Sequence, residues 1–494
     1  MVSYFETKWG HVVVSQVILC RFSNSCWRGA GVPDRPWTTG GIPYRKVSCT
    51  AQVEGKELIA GTRSKNPMWA KGDVKTVPGS RPTVRTERLW ADIMQLAAFT
   101  EPDRPYTRRA FTEVYQAGRR WLAARMQEAG LAVRVDAGGN LIGRWEGTEP
   151  GRSPLMLGSH TDTVLDGGRF DGVAGVLGAL EAVRALREAG VRLRHPVEVV
   201  DFLAEEPSDY GPSCIGSLAL TGGLAPEMLA EVNPAGETLA EGIRRMGGEP
   251  RSLSAPLRRP GDVAAYVELH IEQGPVLEQR GVPIGLVTAI ASMEWHSVTL
   301  EGQPGHAGTT PMELRRDALA AAAEVILAVE RTGRELATGG HCVATTGRLL
   351  IEPNNVNVVP GKAELTVDVR SHDPRRLAQA WADIRTAIEG ISQTRGVRWT
   401  SRCLGRAEGA AADPQVMEAL EVAAHELGYP VLHLASGAGH DAMHLARIAP
   451  MGMLFIPCRG GLSHCPEEWS SPDDVARGTQ VLAVALQYLD RILP

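Results

Sequence analysis

Two short apolar runs, Pro154–Gly158 and Val197–Leu203, constrain this 494-residue chain more than any other feature. Neither run alternates with polar positions, so each reads as a strand buried on both faces of a sheet. Between them Gly172–Ala189 carries the apolar spacing of a helix. Strands alternating with helices predict an α/β layer structure. Upstream, Thr86–Ala98 and Thr107–Ala129 show helical spacing, with Gly130 placed to end the second helix. Leu131–Val135 and Asn140–Trp145 read as strands around Ala137-Gly-Gly139.

Residues 291–407 change the pattern. A strand at Glu294–Glu301, a helix at Ala318–Arg331, strands at Cys342–Leu350 and Lys362–Arg370, a helix at Pro374–Glu389 and a strand at Val397–Cys403 follow one another. This β-α-β-β-α-β order is the ferredoxin-like pattern. The α/β texture then resumes with a helix at Pro414–Leu427, strands at Val431–Leu434 and Met451–Pro457, and a helix at Asp473–Ile492. The expected organisation is one α/β domain, 86–290 and 408–494, interrupted by an inserted α+β domain, 291–407.

Lysine marks a further boundary. Six of the seven lysines lie in the first 75 residues, and only Lys362 lies beyond. Residues 1–85 hold 13 Lys+Arg against 5 Asp+Glu, with no sustained period and many Gly, Pro, Ser and Thr. They read as an atypical, poorly ordered appended segment, or as the product of an upstream start, that contributes nothing to catalysis. The formal charge of the whole chain, −5, argues against a nucleic-acid or membrane-surface binder driven by bulk charge. No stretch reaches the roughly 18 apolar residues of a transmembrane helix, and the N-terminus lacks the layout of a secretory signal. Eight scattered cysteines without a CxxC pair suit reduced thiols and a cytoplasmic protein.

Four clusters carry chemistry. Gly158-Ser-His-Thr-Asp-Thr-Val164 sets His160 and Asp162 past a buried strand, where ligand sites of open α/β sheets lie. Asp162 is placed to fix the tautomer of His160, and Asp171 follows at a helix start. Asp201-Phe-Leu-Ala-Glu-Glu206 delivers two adjacent acids, Glu205 and Glu206, whose burial would be costly unless a metal ion or a proton-transfer role answered it. In Tyr266-Val-Glu-Leu-His-Ile-Glu-Gln-Gly-Pro275, strand alternation predicts Glu268, His270 and Glu272 on one face. Gly461-Leu-Ser-His-Cys-Pro-Glu-Glu468 sets His464 in a turn after an apolar strand.

With Gly305-His-Ala-Gly-Thr-Thr-Pro-Met312, Pro353-Asn-Asn-Val-Asn-Val-Val-Pro360 and Ser436-Gly-Ala-Gly-His-Asp-Ala442, these stretches resemble the zinc-dependent aminoacylase/carboxypeptidase superfamily of dinuclear metallohydrolases. More narrowly they are similar to its N-carbamoyl-L-amino-acid amidohydrolase, allantoate amidohydrolase and β-ureidopropionase branch, from about Thr86 to the C-terminus. The resemblance implies two divalent ions per subunit, zinc or manganese or cobalt. His160, Asp171 and His270 would hold one. Asp171, Glu206 and His464 would hold the other, with Asp171 bridging. It implies attack by a metal-bridging hydroxide, Glu205 as general base, and Asp162 orienting His160. It further implies substrate contacts from Gln273, His306, Asn357, Arg370 and the Gly437-Ala-Gly439 loop. Arg370 would bind a substrate carboxylate, and His306 would reach across a homodimer, built through the inserted domain, to the scissile carbonyl. The implied activity is hydrolysis of a linear C–N bond in a small carboxylate bearing a ureido or amide group, foremost an N-carbamoyl-L-amino acid. Allantoate-type, aminoacylase or dipeptidase substrates, and a catalytically silent binding protein, stand as alternatives. One departure concerns Pro207-Ser-Asp-Tyr210, which replaces the branch's Gly-Ser/Val-Arg-Phe type stretch and lacks its arginine.

Overall fold

A nine-stranded mixed sheet organises the chain. The structure is a computed structural model that describes residues 81–338 and 341–494. The appended segment inferred from lysine usage therefore lies almost wholly outside the described residues. Arg81–Arg85, assigned to that segment by composition, pack on the body: Val84 N donates to Gln480 Oε1 at 3.0 Å, and Arg85 N to Glu181 Oε1 at 2.9 Å.

The strand order is Ala132–Val135, Leu141–Trp145, Val197–Phe202, Leu155–His160, Ala265–Ile271, Met451–Ile456, Ile284–Ile290 and Ala410–Ala411, with Val431–Ser436 also pairing Ile284–Ile290. The four strands from Val197–Phe202 to Met451–Ile456 run parallel to one another. Every residue of these four strands is buried, as their apolar runs require. Because they are parallel, their carboxyl ends open on one edge of the sheet, and the loops bearing the acids and histidines leave from that edge.

Helices Thr86–Ala97, Val173–Glu188, Pro414–Glu426 and Pro472–Ile492 contribute to one apolar cluster over the sheet. A second cluster joins Met156, Val200, Phe202, Tyr266 and Phe455 to the short helix Asp441–Leu445. The predicted helix over Thr107–Ala129 begins only at Glu113: Thr112 is extended, and its side chain accepts from Tyr115 N, closing the N-terminus. Residues 107–111 instead bind the site loop, with Arg108 N donating to Thr163 Oγ1 at 2.8 Å.

Residues 292–407 form a separate four-stranded antiparallel sheet, ordered Arg398–Ala407, Ser292–Glu301, Lys362–Ser371, Cys342–Glu352. Helices Ala318–Ala337 and Pro374–Arg395 close an apolar core of its own against this sheet. Both helices are capped at their N-termini by aspartates, Asp317 and Asp373. This is the predicted β-α-β-β-α-β succession, with the small ladder Gly305–His306 with Val358–Val359 set beside it.

Candidate active site

His160 is the last residue of its strand, and its ring is fully buried. Its Nδ1 lies 3.0 Å from the main-chain carbonyl of Asp162, which leaves Nε2 facing Asp171. His270 repeats the device: Nδ1 lies 2.9 Å from Ile271 O, and Nε2 lies 3.1 Å from Asp171 Oδ1. Holding one ring nitrogen on a carbonyl fixes the tautomer that frees the other, as a metal-binding histidine needs. Across the carboxylate, His464 Nε2 lies 3.0 Å from Asp171 Oδ2 and 3.1 Å from Glu206 Oε1. Each oxygen of Asp171 thus serves a different set. The ligand atoms of His160, Asp171 and His270 lie within 4.8 Å of one another, as do those of Asp171, Glu206 and His464. Imidazole and carboxylate donors at this closeness suit zinc and related divalent ions.

The electrostatics favour added positive charge. Burial opposes ionisation of Asp171, but hydrogen bonds from three histidines outweigh it and hold the carboxylate well below its usual range. Hydrogen bonds to Asp171 and Glu206 push His464 up to about 11. Glu205 is different. Its carboxylate has no strong partner: Oε2 lies 3.6 Å from His160 Nε2, and the Cys214 thiol reaches Oε1 at 3.7 Å. Burial, reinforced by Glu206, pushes Glu205 well above the ordinary carboxylate range. It lies beside the two ligand sets without belonging to either.

Left-handed backbone recurs here at residues other than glycine. Ala204 (φ 53°), Cys214 (φ 53°), Gln273 (φ 56°) and His464 (φ 56°) all adopt it. Such positions cost of order 1–3 kcal/mol each and cluster where a site over-determines the chain. At Gly172 (φ 63°) a Cβ would strike the His160 ring, so the helix that follows Asp171 must start on glycine.

Several expected roles change in detail. The Asp162 carboxylate lies 3.5 Å from His160 Nδ1, farther than the Asp162 main-chain carbonyl. It instead accepts the amides of Glu205 and Glu206 at 3.3 and 3.1 Å. Asp162 therefore aims the acidic pair as well as the histidine. Glu272 does not share a face with Glu268 and His270. It falls past the strand end and accepts Val276 N and Leu277 N, capping the next helix. Glu268 is fully buried and spent on Ser159 Oγ, Tyr266 OH and Ala442 N, so the further grouping of Glu268, His270 and His440 has no free carboxylate.

Gln273 joins the centre, its Nε2 2.9 Å from Asp171 Oδ2. Arg370 is held by a different set of contacts. Its guanidinium grips Asp368 at 2.8 Å, and Nη1 donates to Gly437 O at 3.0 Å, tying the four-stranded sheet to the Gly437–Gly439 loop. The Trp295 indole holds Asp368 from behind at 3.1 Å. His306 and Asn357 sit at the small ladder: both are exposed, Ala307 N donates to Asn357 O, and Gly308 N donates to His306 Nδ1 at 3.1 Å. Ser463 and Glu468, which the reading of the sequence left without a role, close around Asp171; their place in the Gly461–Glu468 stretch was the available signal.

A mixed sheet with helices on its faces and acid–histidine sets at its carboxyl edge defines a hydrolase scaffold. The family model described as Peptidase family M20/M25/M40 matches residues 156–488, and the chain belongs to that family. Among curated proteins it is similar to the N-carbamoyl-L-amino acid amidohydrolase of Geobacillus stearothermophilus, 43% identical over 400 residues, covering 81% of this chain and 97% of that protein. It is also similar to the ureidoglycolate hydrolase of Oryza sativa subsp. japonica, 39% identical over 83% of this chain and 86% of the relative. Among solved structures, an amidase of the hydantoinase/carbamoylase family from Burkholderia multivorans superposes with a TM-score of 0.76 at 37% identity, over 83% of this chain and 98% of that one.

Proposed function

We propose that this chain is a metal-dependent amidohydrolase that cleaves the linear C–N bond of an N-carbamoyl-L-amino acid, releasing carbon dioxide, ammonia and the amino acid. The observation that carries the reading is the sharing of Asp171 between two ligand sets, with the unspent carboxylate of Glu205 beside them. His160, Asp171 and His270 would hold one divalent ion, and Asp171, Glu206 and His464 the other, as zinc, manganese or cobalt. When bound, such ions lower the pKa of a shared water and polarise the scissile carbonyl.

The chain's own residues do the rest. Glu205 takes the proton of the attacking water and returns it to the leaving nitrogen. Asp162, holding the amides of Glu205 and Glu206, keeps base and ligand in register. Arg370, preset by Asp368, receives the substrate carboxylate beside the Gly437–Gly439 loop. Gln273, 2.9 Å from Asp171 Oδ2, would contact the substrate from the ligand side.

His306 and Asn357 serve the scissile carbonyl and the substrate from a second subunit, joined through residues 291–407 acting as an inserted dimerisation and lid domain between 86–290 and 408–494. Their exposure supports that role, as do the exposed apolar side chains Leu349, Leu350 and Leu404 on the two edge strands of the four-stranded sheet. A cytoplasmic location accords with the five described cysteines, all free thiols. Among the described residues no helix is long and apolar enough to cross a membrane.

A substrate panel tests the reading: N-carbamoyl-L- and D-amino acids, N-carbamoyl-β-alanine, allantoate, ureidoglycolate and dipeptides, each with added zinc, manganese or cobalt. The highest kcat/KM belongs to an N-carbamoyl-L-amino acid. A highest value for a dipeptide, or full activity in metal-free protein, overturns it.

A further inference from the structure

Glu468 is fully buried, four residues beyond His464. A buried carboxylate is costly unless hydrogen bonds answer it, and each bond Glu468 makes ends beside a proposed metal ligand. Oε1 accepts Phe170 N at 2.8 Å and Asp171 N at 3.1 Å. Oε2 accepts the Ser463 hydroxyl at 2.8 Å. One side chain therefore pins the backbone of Asp171 and the residue preceding His464, although the two ligands lie almost 300 positions apart. Gly168 shows how closely it is fitted, because a Cβ there would overlap the Glu468 carboxylate.

The Ser463 hydroxyl has a single proton and two acceptors within reach. Glu468 Oε2 is nearer, at 2.8 Å, and Asp171 Oδ2 lies at 3.2 Å. By taking that proton, Glu468 leaves Asp171 Oδ2 free of the hydroxyl, and this is the oxygen that faces His464. We propose that Glu468 is a positioning residue for the ion site formed by Asp171, Glu206 and His464: it sets the spacing of two ligands and keeps the Ser463 proton off the bridging oxygen, which the Gln273 amide faces at 2.9 Å. The inference rests on the metal-dependent reading above.

The substitution Glu468→Gln tests it without changing size. The amide oxygen still accepts the two backbone N–H groups. Its NH2 group faces Ser463 as a donor and turns the hydroxyl proton onto Asp171 Oδ2. Ion affinity is measured on chelator-stripped protein by calorimetric titration with zinc and with manganese, alongside the Tm of the stripped protein. The expected result is one ion weakened about 10- to 100-fold, the other far less, and a Tm close to wild type. The double variant Glu468→Gln/Ser463→Ala recovers most of the lost affinity, because no hydroxyl proton remains to occupy Asp171. Gly168→Ala, which displaces the same carboxylate from outside, weakens the same ion. Wild-type affinity for both ions in Glu468→Gln overturns the positioning role alone. A wild-type protein that takes up no ion overturns the metal-dependent reading as well. Equal weakening of both ions with no recovery in the double variant marks a structural role and also overturns the proposal.

Discussion

Replacing Glu205 with glutamine separates catalysis from architecture at a single residue. The side chain makes two weak contacts, 3.6 Å to His160 and 3.7 Å from the Cys214 thiol. The bonds that hold the residue are main-chain ones: its N–H on Asp162 at 3.3 Å and its carbonyl on Cys214 N at 2.9 Å. An isosteric amide leaves those bonds intact and removes a charge that burial already disfavours. The structural cost is therefore within about 1 kcal/mol of zero, of the size common for substitutions that break no strong contact. The kinetic cost is larger. A positioned general base contributes roughly 10²–10⁴ in rate, or about 3–5 kcal/mol of barrier. The assay is kcat for ammonia release from an N-carbamoyl-L-amino acid, with metal content measured by elemental analysis on the same sample and Tm recorded in parallel. The expected outcome is a kcat lowered at least about 100-fold with metal content and Tm unchanged. A kcat within about tenfold of wild type would remove Glu205 as the base. Loss of metal in step with activity would instead make it a ligand.

Four other substitutions probe different layers. Burial depresses His444 to about 4, so the folded protein resists a proton that the unfolded chain accepts near 6.5. Stability from this group is complete above pH 6.5 and falls by about 3 kcal/mol as pH drops toward 4; urea unfolding of His444→Phe should show a flatter profile over that window. Arg119→Met strands the buried Asp201 carboxylate, which Arg119 now holds at 2.9 Å, and should cost about 3–5 kcal/mol in urea midpoint analysis. Arg370→Ala should raise KM for a carboxylate substrate at least about tenfold while sparing substrates that lack the carboxylate. Mixing His306→Ala with Glu205→Gln under subunit exchange should recover up to about a quarter of wild-type activity, the statistical share of sites with both groups intact in a random two-chain assembly; no recovery would confine His306 to its own chain.

The two apolar runs foretold the parallel centre of the sheet because strands buried on both faces leave no polar alternation to misread. The five residues assigned as ligands assemble for the same reason: His160 and His270 stand at the carboxyl ends of strands of that centre, Asp171, Glu206 and His464 lie in the segments that follow its strands, and parallel strands send their carboxyl ends to one edge. Side-chain detail was less legible. Glu272 looked like a third residue of a strand face, but the strand ends at Ile271, a boundary that alternation does not encode. Thr107–Phe111 carried helical spacing, yet tertiary hydrogen bonds to Thr163 claimed that backbone. The carboxylates of Asp162 and Glu468 work by accepting main-chain amides from distant segments. Such bonds depend on the approach of two loops and leave no spacing pattern in either. The exposed pair His306 and Asn357 was found through family motifs, and nothing in local composition marks it.

The left-handed corners at Ala204, Gln273 and His464 have a consequence for how such a protein can change. Each sits next to, or is, a residue of the active centre, and each is a position where glycine would relax the chain. Selection for heat resistance alone should therefore find gains at these corners and lose turnover as it takes them. Ala204 is the sharpest case, since the residue it aims is Glu205. Thermal improvement without loss of rate is therefore better sought in the helices and the four-stranded sheet.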